Sequence, residues 1–131
     1  MIVSARAVTA GLVAAVVSGA PSTAHAFWTR RDPLEATLAA GSLLMPRSAR
    51  RGALILAAVP VHLALSVGWA QVLARTLPQR RRALWGGAWG GGIAVLDLGA
   101  VGRRNPRIRA LPLVPQIADH LAFGAVAGAL L

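Results

Sequence analysis

LPLVPQIADHLAFGAVAGALL, residues 111–131, is the stretch whose reading decides the fold. It is apolar over the roughly 20 residues that a helix needs to cross a bilayer. Yet it carries Gln116, Asp119 and His120. At about 100° per residue these three share one helical face with Phe123. Gly124-x-x-x-Gly128 lies beside that face. Small residues at this spacing let helix backbones approach closely in a membrane.

The preceding apolar run, residues 83–101, reads ALWGGAWGGGIAVLDLGAV. So many glycines would weaken a helix in water, at about 1 kcal/mol each relative to Ala. In a bilayer, Gly86-x-x-x-Gly90 and Gly87-x-x-x-Gly91 instead read as packing motifs. Gly86, Gly90, Ile93 and Asp97 form one stripe, which aims Asp97 at a helix contact rather than at lipid. A phosphate-cradling loop does not fit: no strand precedes the glycines and no Gly-Lys-Ser/Thr follows them. Residues 52–74 form a further span holding Pro60, His62, Ser66 and Gln71. His62, Ser66 and Trp69 share a face, while Gln71 lies opposite and close enough to the end to reach headgroups.

Arginine clusters punctuate these runs, at 30–31, 47–51, 75–82 and 103–109. The 131-residue chain is 56% hydrophobic and 14% charged, and fits one membrane domain covering 1–131. Soluble domains carry roughly 25% charged residues, spread along exposed faces. The net charge of +10 comes from 14 Arg with no Lys. Because the arginines bracket membrane-length runs, anionic lipid headgroups are the expected counter-charge, and nucleic acid is not. The absence of Cys excludes disulfides and thiolate metal sites.

The N-terminal region has two readings. Arg6, an apolar run and Ala24-His25-Ala26 outline a secretory signal, which would leave a three-span protein. Cleavage there would place Arg30, Arg31, Arg47, Arg50, Arg51, Arg103, Arg104, Arg107 and Arg109 outside, against the positive-inside tendency. Residues 5–26 are therefore expected as a retained first span, bent or ended near Gly19, Pro21, Ser22 and Thr23. Asp32-Pro33-Leu34-Glu35 is a helix start, with Asp32 as cap and Glu35 in capping-box position. The helix it opens, 33–45, is too short to span and is expected at the interface.

The expected fold is thus all-α: a helical integral membrane protein with about four transmembrane helices, at 5–26, 52–74, 83–101 and 111–131, plus one short interfacial helix. With four spans, the joints 27–51 and 102–110 lie on one side. At 1.5 Å per residue, Asp97, Asp119 and His62 then sit roughly 6, 12 and 15 Å from that surface. His62, Asp97, Gln116, Asp119 and His120 become a candidate intramembrane polar cluster in one half of the bilayer.

Three chemistries compete for that cluster. Ionisable side chains in a span are costly and usually face a partner, so interhelical hydrogen bonding is the first reading. A proton or small-solute path through Asp119 and His120 is the second. A metal site of His62, His120 and Asp119 is the third, and no HxxxH or ExxH pair supports it. Ser66 near His62 is the one nucleophile–base pair on a face, and that spacing is common by chance. No catalytic, cofactor-binding or metal-ligating residue is assigned, and no enzyme is expected.

Ser18-Gly19-x-Pro21-Ser22-Thr23, Asp32-Pro33-Leu34-Glu35 and Gln116-x-x-Asp119-His120-x-x-x-Gly124 together resemble small uncharacterised multi-span bacterial inner-membrane proteins. The resemblance implies location and architecture and brings no activity. The expected role is an accessory, scaffold or assembly protein, packed through Gly86, Gly90, Gly124 and Gly128 within one chain, between copies or against another membrane protein. A small transporter or proton pathway is the alternative.

Overall fold

The computed structural model describes residues 4–46 and 49–131. Arg47 and Ser48, in the arginine cluster 47–51 of the expected joint 27–51, lie outside the described residues. Among the described residues the fold is all-α. Four helical stretches are long and apolar enough to cross a membrane: Ala5–Trp28, Arg51–Thr76, Arg82–Arg104 and Leu113–Leu130.

The first stretch is two helices, α1 (Ala5–Val17) and α2 (Ala20–Trp28). They part at Ser18-Gly19, with Pro21 in the opening turn of α2, where its missing N–H costs nothing. The Ser4 Oγ caps α1 by accepting the Ala7 N–H. Helix α2 ends with Arg30 in the left-handed region, φ 55°. There the Arg31 N–H reaches back to the Ala26 carbonyl at 2.8 Å, a Schellman-type close built on arginine instead of glycine.

Helix α3 (Glu35–Gly41) is shorter than the expected 33–45 helix. Asp32 Oδ1 accepts the Leu34 N–H at 2.9 Å, and the first α-helical residue is Glu35. Glu35 does not close a capping box. Its carboxylate turns to Arg31, 2.9 Å away, because the guanidinium is the stronger donor. From Ser42 to Met45 the chain continues as hydrogen-bonded turns. Gly41 lets α3 lie directly on the Leu54 carbonyl, where a Cβ would overlap.

Helix α4 (Arg51–Thr76) runs uninterrupted through Pro60, and α5 (Arg82–Leu96) follows a short joint. The third stretch is not a uniform α-helix. A π-helical turn occupies Asp97–Val101, where the Gly102 N–H bonds the Asp97 carbonyl five residues back. The expected basic loop 102–110 is also partly helical: α6 (Gly102–Arg104) and α7 (Pro106–Arg109) meet at Asn105. Asn105 Oδ1 accepts the N–H groups of Arg107 and Ile108, so its side chain starts α7 while Pro106 takes the first position. Helix α8 (Leu113–Leu130) completes the fold.

Helices α1 and α8 pack side by side, with α4 against α1 and α5 against α8. Ala7, Ala10, Ala14, Leu73, Ile93, Phe123 and Ala127 form the core. Around it, Leu56, Leu84, Val95 and Val114 face outward with 65–78% exposure. Such a surface is ill suited to water and well suited to hydrocarbon.

Candidate functional site

The α5–α8 contact is built on backbone. A Cβ on Gly86 would overlap the Gly124 carbonyl, one on Gly90 the His120 carbonyl, one on Gly124 the Gly86 carbonyl and one on Gly128 the Arg82 carbonyl. The four glycines meet one another within one chain. Gly87 and Gly91 flank this seam and have room for a side chain, with nearest atoms at 3.8 and 3.6 Å.

This close approach brings Asp97 to His120. His120 Nδ1 lies 2.7 Å from the Gln116 carbonyl, and Nε2 lies 3.1 Å from Asp97 Oδ2. A carbonyl only accepts, so Nδ1 carries a proton. The Nε2 contact needs one more, on the ring or on the carboxyl. The pair therefore holds one proton between α8 and the start of the π-helical turn.

Asp119, one residue earlier, faces away from this pair. Its Oδ1 accepts the Ser22 backbone N–H at 2.9 Å. Ser22 is the third residue of α2, and its N–H is one of the donors that a helix start leaves without an internal partner. The break at Ser18-Gly19 creates that orphan inside a membrane-length stretch, where water cannot satisfy it. A carboxylate from the neighbouring helix does so, and its charge suits a helix N-terminus.

His62 on α4 contacts the Ala15 carbonyl on α1 through Nε2 at 2.9 Å. That contact fixes the Nε2–H tautomer. Ser66, on the same face, is buried, and its carbonyl lies against Gly11 of α1. Gln116 is buried near the start of α8, on a cleft shared with Leu98 and Leu113. Its side chain is not part of the Asp97–His120 bond; only its carbonyl is.

Gln71 does not reach for headgroups. Its Nε2 donates to the Ser4 carbonyl at 3.0 Å and its Oε1 accepts the Ser4 N–H at 3.2 Å. An amide that pairs both ways with a backbone unit is better satisfied than one pointing at an interface. No spacing rule links residues 4 and 71, so this clasp had no signal in the sequence. The signal for the Asp119–Ser22 bond was present: a Gly-x-Pro-Ser helix break needs a partner, and Asp119 is one of only two acids in the apolar runs.

The five expected cluster residues thus fall into three separate ties: Asp97–His120 with the Gln116 carbonyl, Asp119–Ser22, and His62–Ala15. Among the described residues, no group of three His, Cys, Asp or Glu side chains is placed to hold a metal.

At the Arg-rich end, Arg51 reaches Asp32 with both terminal nitrogens, at 2.5 and 3.0 Å. The Arg51 guanidinium, helped by the Leu34 N–H, holds the Asp32 carboxyl down to about 2. Asn105 Nδ2 donates to Ser42 Oγ at 2.8 Å, joining the turn after α3 to the start of α7. The chain matches no known protein family, no curated protein and no solved structure.

Proposed function

We propose that this is a non-enzymatic, multi-pass protein of a bacterial inner membrane, acting as a scaffold or accessory subunit. The observation that carries the reading is the division of the intramembrane polar groups into separate ties. Asp97–His120 joins α5's π-helical extension to α8, Asp119–Ser22 joins α8 to α2, and His62–Ala15 joins α4 to α1. Each tie ends on a backbone group or a single partner, which is what helix fastening requires. A conduction path needs groups that hand a proton on. The wide apolar exterior offers a second membrane protein its docking area. Because Gly86, Gly90, Gly124 and Gly128 are spent within the chain, association between copies would use another face. The nine arginines of 27–51 and 102–110 favour a cytoplasmic placement for that end.

The test is proton flux in proteoliposomes with a trapped pH dye. The expected outcome is no flux above protein-free vesicles at any imposed gradient, and none in Asp119→Asn or His120→Gln. PH-dependent flux in the native protein that either substitution abolishes would replace the scaffold reading with a proton pathway.

A further inference from the structure

Two clefts meet on the outer side of the α5–α8 seam. The larger, of about 440 Å³, is lined by Gly91, Val95, Leu98, Gly99, Ile117 and, as its one charged residue, Arg103. The second, of about 250 Å³, shares Leu98 and Leu113 with the first and has Arg109 and Gln116 on its wall. Resting on the reading that these helices cross a membrane, we infer that the paired clefts seat one anionic phospholipid. An acyl chain lies along α5, and the phosphate is held between Arg103 and Arg109.

Length, shape and charge support this occupant. From Gly91 to Arg103 is about 18 Å of helix. That is close to one leaflet of a hydrocarbon core roughly 30 Å thick. Gly91, Ala94 and Gly99 are among the residues lining the larger cleft, and a Cβ on Gly99 would meet no atom within 4 Å. The π-helical turn at Asp97–Val101 lies in this wall. Among the described residues, neither the Arg103 nor the Arg109 guanidinium makes a hydrogen bond or ion pair, and both residues are exposed. Arg31 and Arg51 on the same end are already paired with Glu35 and Asp32. Two free guanidiniums at the mouth of an apolar groove match a phosphate that drags a hydrocarbon tail. Free phosphate would leave the groove empty, and a neutral lipid would leave the arginines without a counter-charge.

The protein, reconstituted in vesicles of equal parts phosphatidylcholine and phosphatidylglycerol, is extracted gently and its retained lipid is identified by native mass spectrometry. Phosphatidylglycerol is expected to dominate. Arg103→Gln and Arg109→Gln are each expected to lower its retention about fivefold, the equivalent of about 1 kcal/mol per basic residue. Gly99→Leu, which fills the groove with both arginines in place, is expected to lower it as well. Gly92→Leu also enters open space but lines neither cleft, and is expected to change nothing. Equal retention of the two lipids, an arginine-independent preference, or identical behaviour of Gly99→Leu and Gly92→Leu would each overturn the site. Failure of the native protein to float with the vesicles would instead overturn the membrane reading beneath it.

Discussion

Asp119 of α8 caps α2 from outside: its carboxylate accepts the Ser22 N–H at 2.9 Å, across 97 residues of sequence. Asp119→Asn keeps an acceptor oxygen in place and loses only the charge at the helix start. Asp119→Leu leaves the Ser22 N–H without a partner inside the bundle, which costs about 1–3 kcal/mol. Unfolding in mixed detergent micelles should therefore rank native, then Asn, then Leu. If Leu unfolds with or after Asn, Ser22 finds its partner elsewhere and the cap has no weight.

The glycine seam yields a position-specific contrast. Gly90→Ala and Gly124→Ala force a Cβ into a facing carbonyl, so α5 and α8 must separate. Overpacking of this kind costs about 1–3 kcal/mol. Gly87→Ala enters space and improves helix propensity, so it should be neutral or stabilising by up to about 1 kcal/mol. The same unfolding assay reads all three. A Gly87→Ala loss equal to that of Gly90→Ala would mean that the two motifs share the contact.

How much of this was legible beforehand depended on periodicity. The spans, the Gly86/Gly90 stripe and the placement of Asp97 on it follow from residue spacing along single helices, which a sequence displays directly. Their partners do not. Ser4 and Gln71 lie 67 residues apart and belong to helices whose adjacency only packing decides. The π-helical turn at Asp97 was equally hidden, because nothing in Asp-Leu-Gly-Ala-Val distinguishes a five-residue from a four-residue hydrogen bond. Glu35 shows the opposite failure. Its local motif was clear, and a nearby guanidinium outcompeted it.

The Arg51–Asp32 tie should make the attachment of the α3 segment acid-sensitive. The Asp32 carboxyl lies at about 2 in the fold against an ordinary 3.8, mainly through Arg51. A lowered carboxyl contributes fully above its unfolded value and loses that contribution as pH falls from 3.8 toward 2. Carboxyl chemical shifts should place Asp32 near 2 in the native protein and move it toward 3.8 in Arg51→Gln. Amide exchange across α3 should quicken over the same interval. A Asp32 titration unaffected by Arg51→Gln would show that the Leu34 N–H alone holds the carboxylate.

Residues 5–28 are built into the core, and this bears on whether they are cleaved as a signal. Ala7 and Ala14 are fully buried, and Ala10 nearly so. The segment, with Ser4 just before it, also supplies the Ser4, Ala15 and Ser22 backbone groups that Gln71, His62 and Asp119 use. Cleavage after Ala26 would leave all three polar side chains without these partners inside an apolar bundle, at about 1–3 kcal/mol each. It would also open the α1 sides of α4 and α8 to lipid. The mature protein should therefore carry its first helix. Intact-mass measurement of protein purified from membranes should give the full chain, and a chain engineered to begin at Phe27 should fail to accumulate. A mass corresponding to a start at Phe27, in a protein that remains folded, would show that α1 and α2 are dispensable and that the three ties are not what holds the bundle.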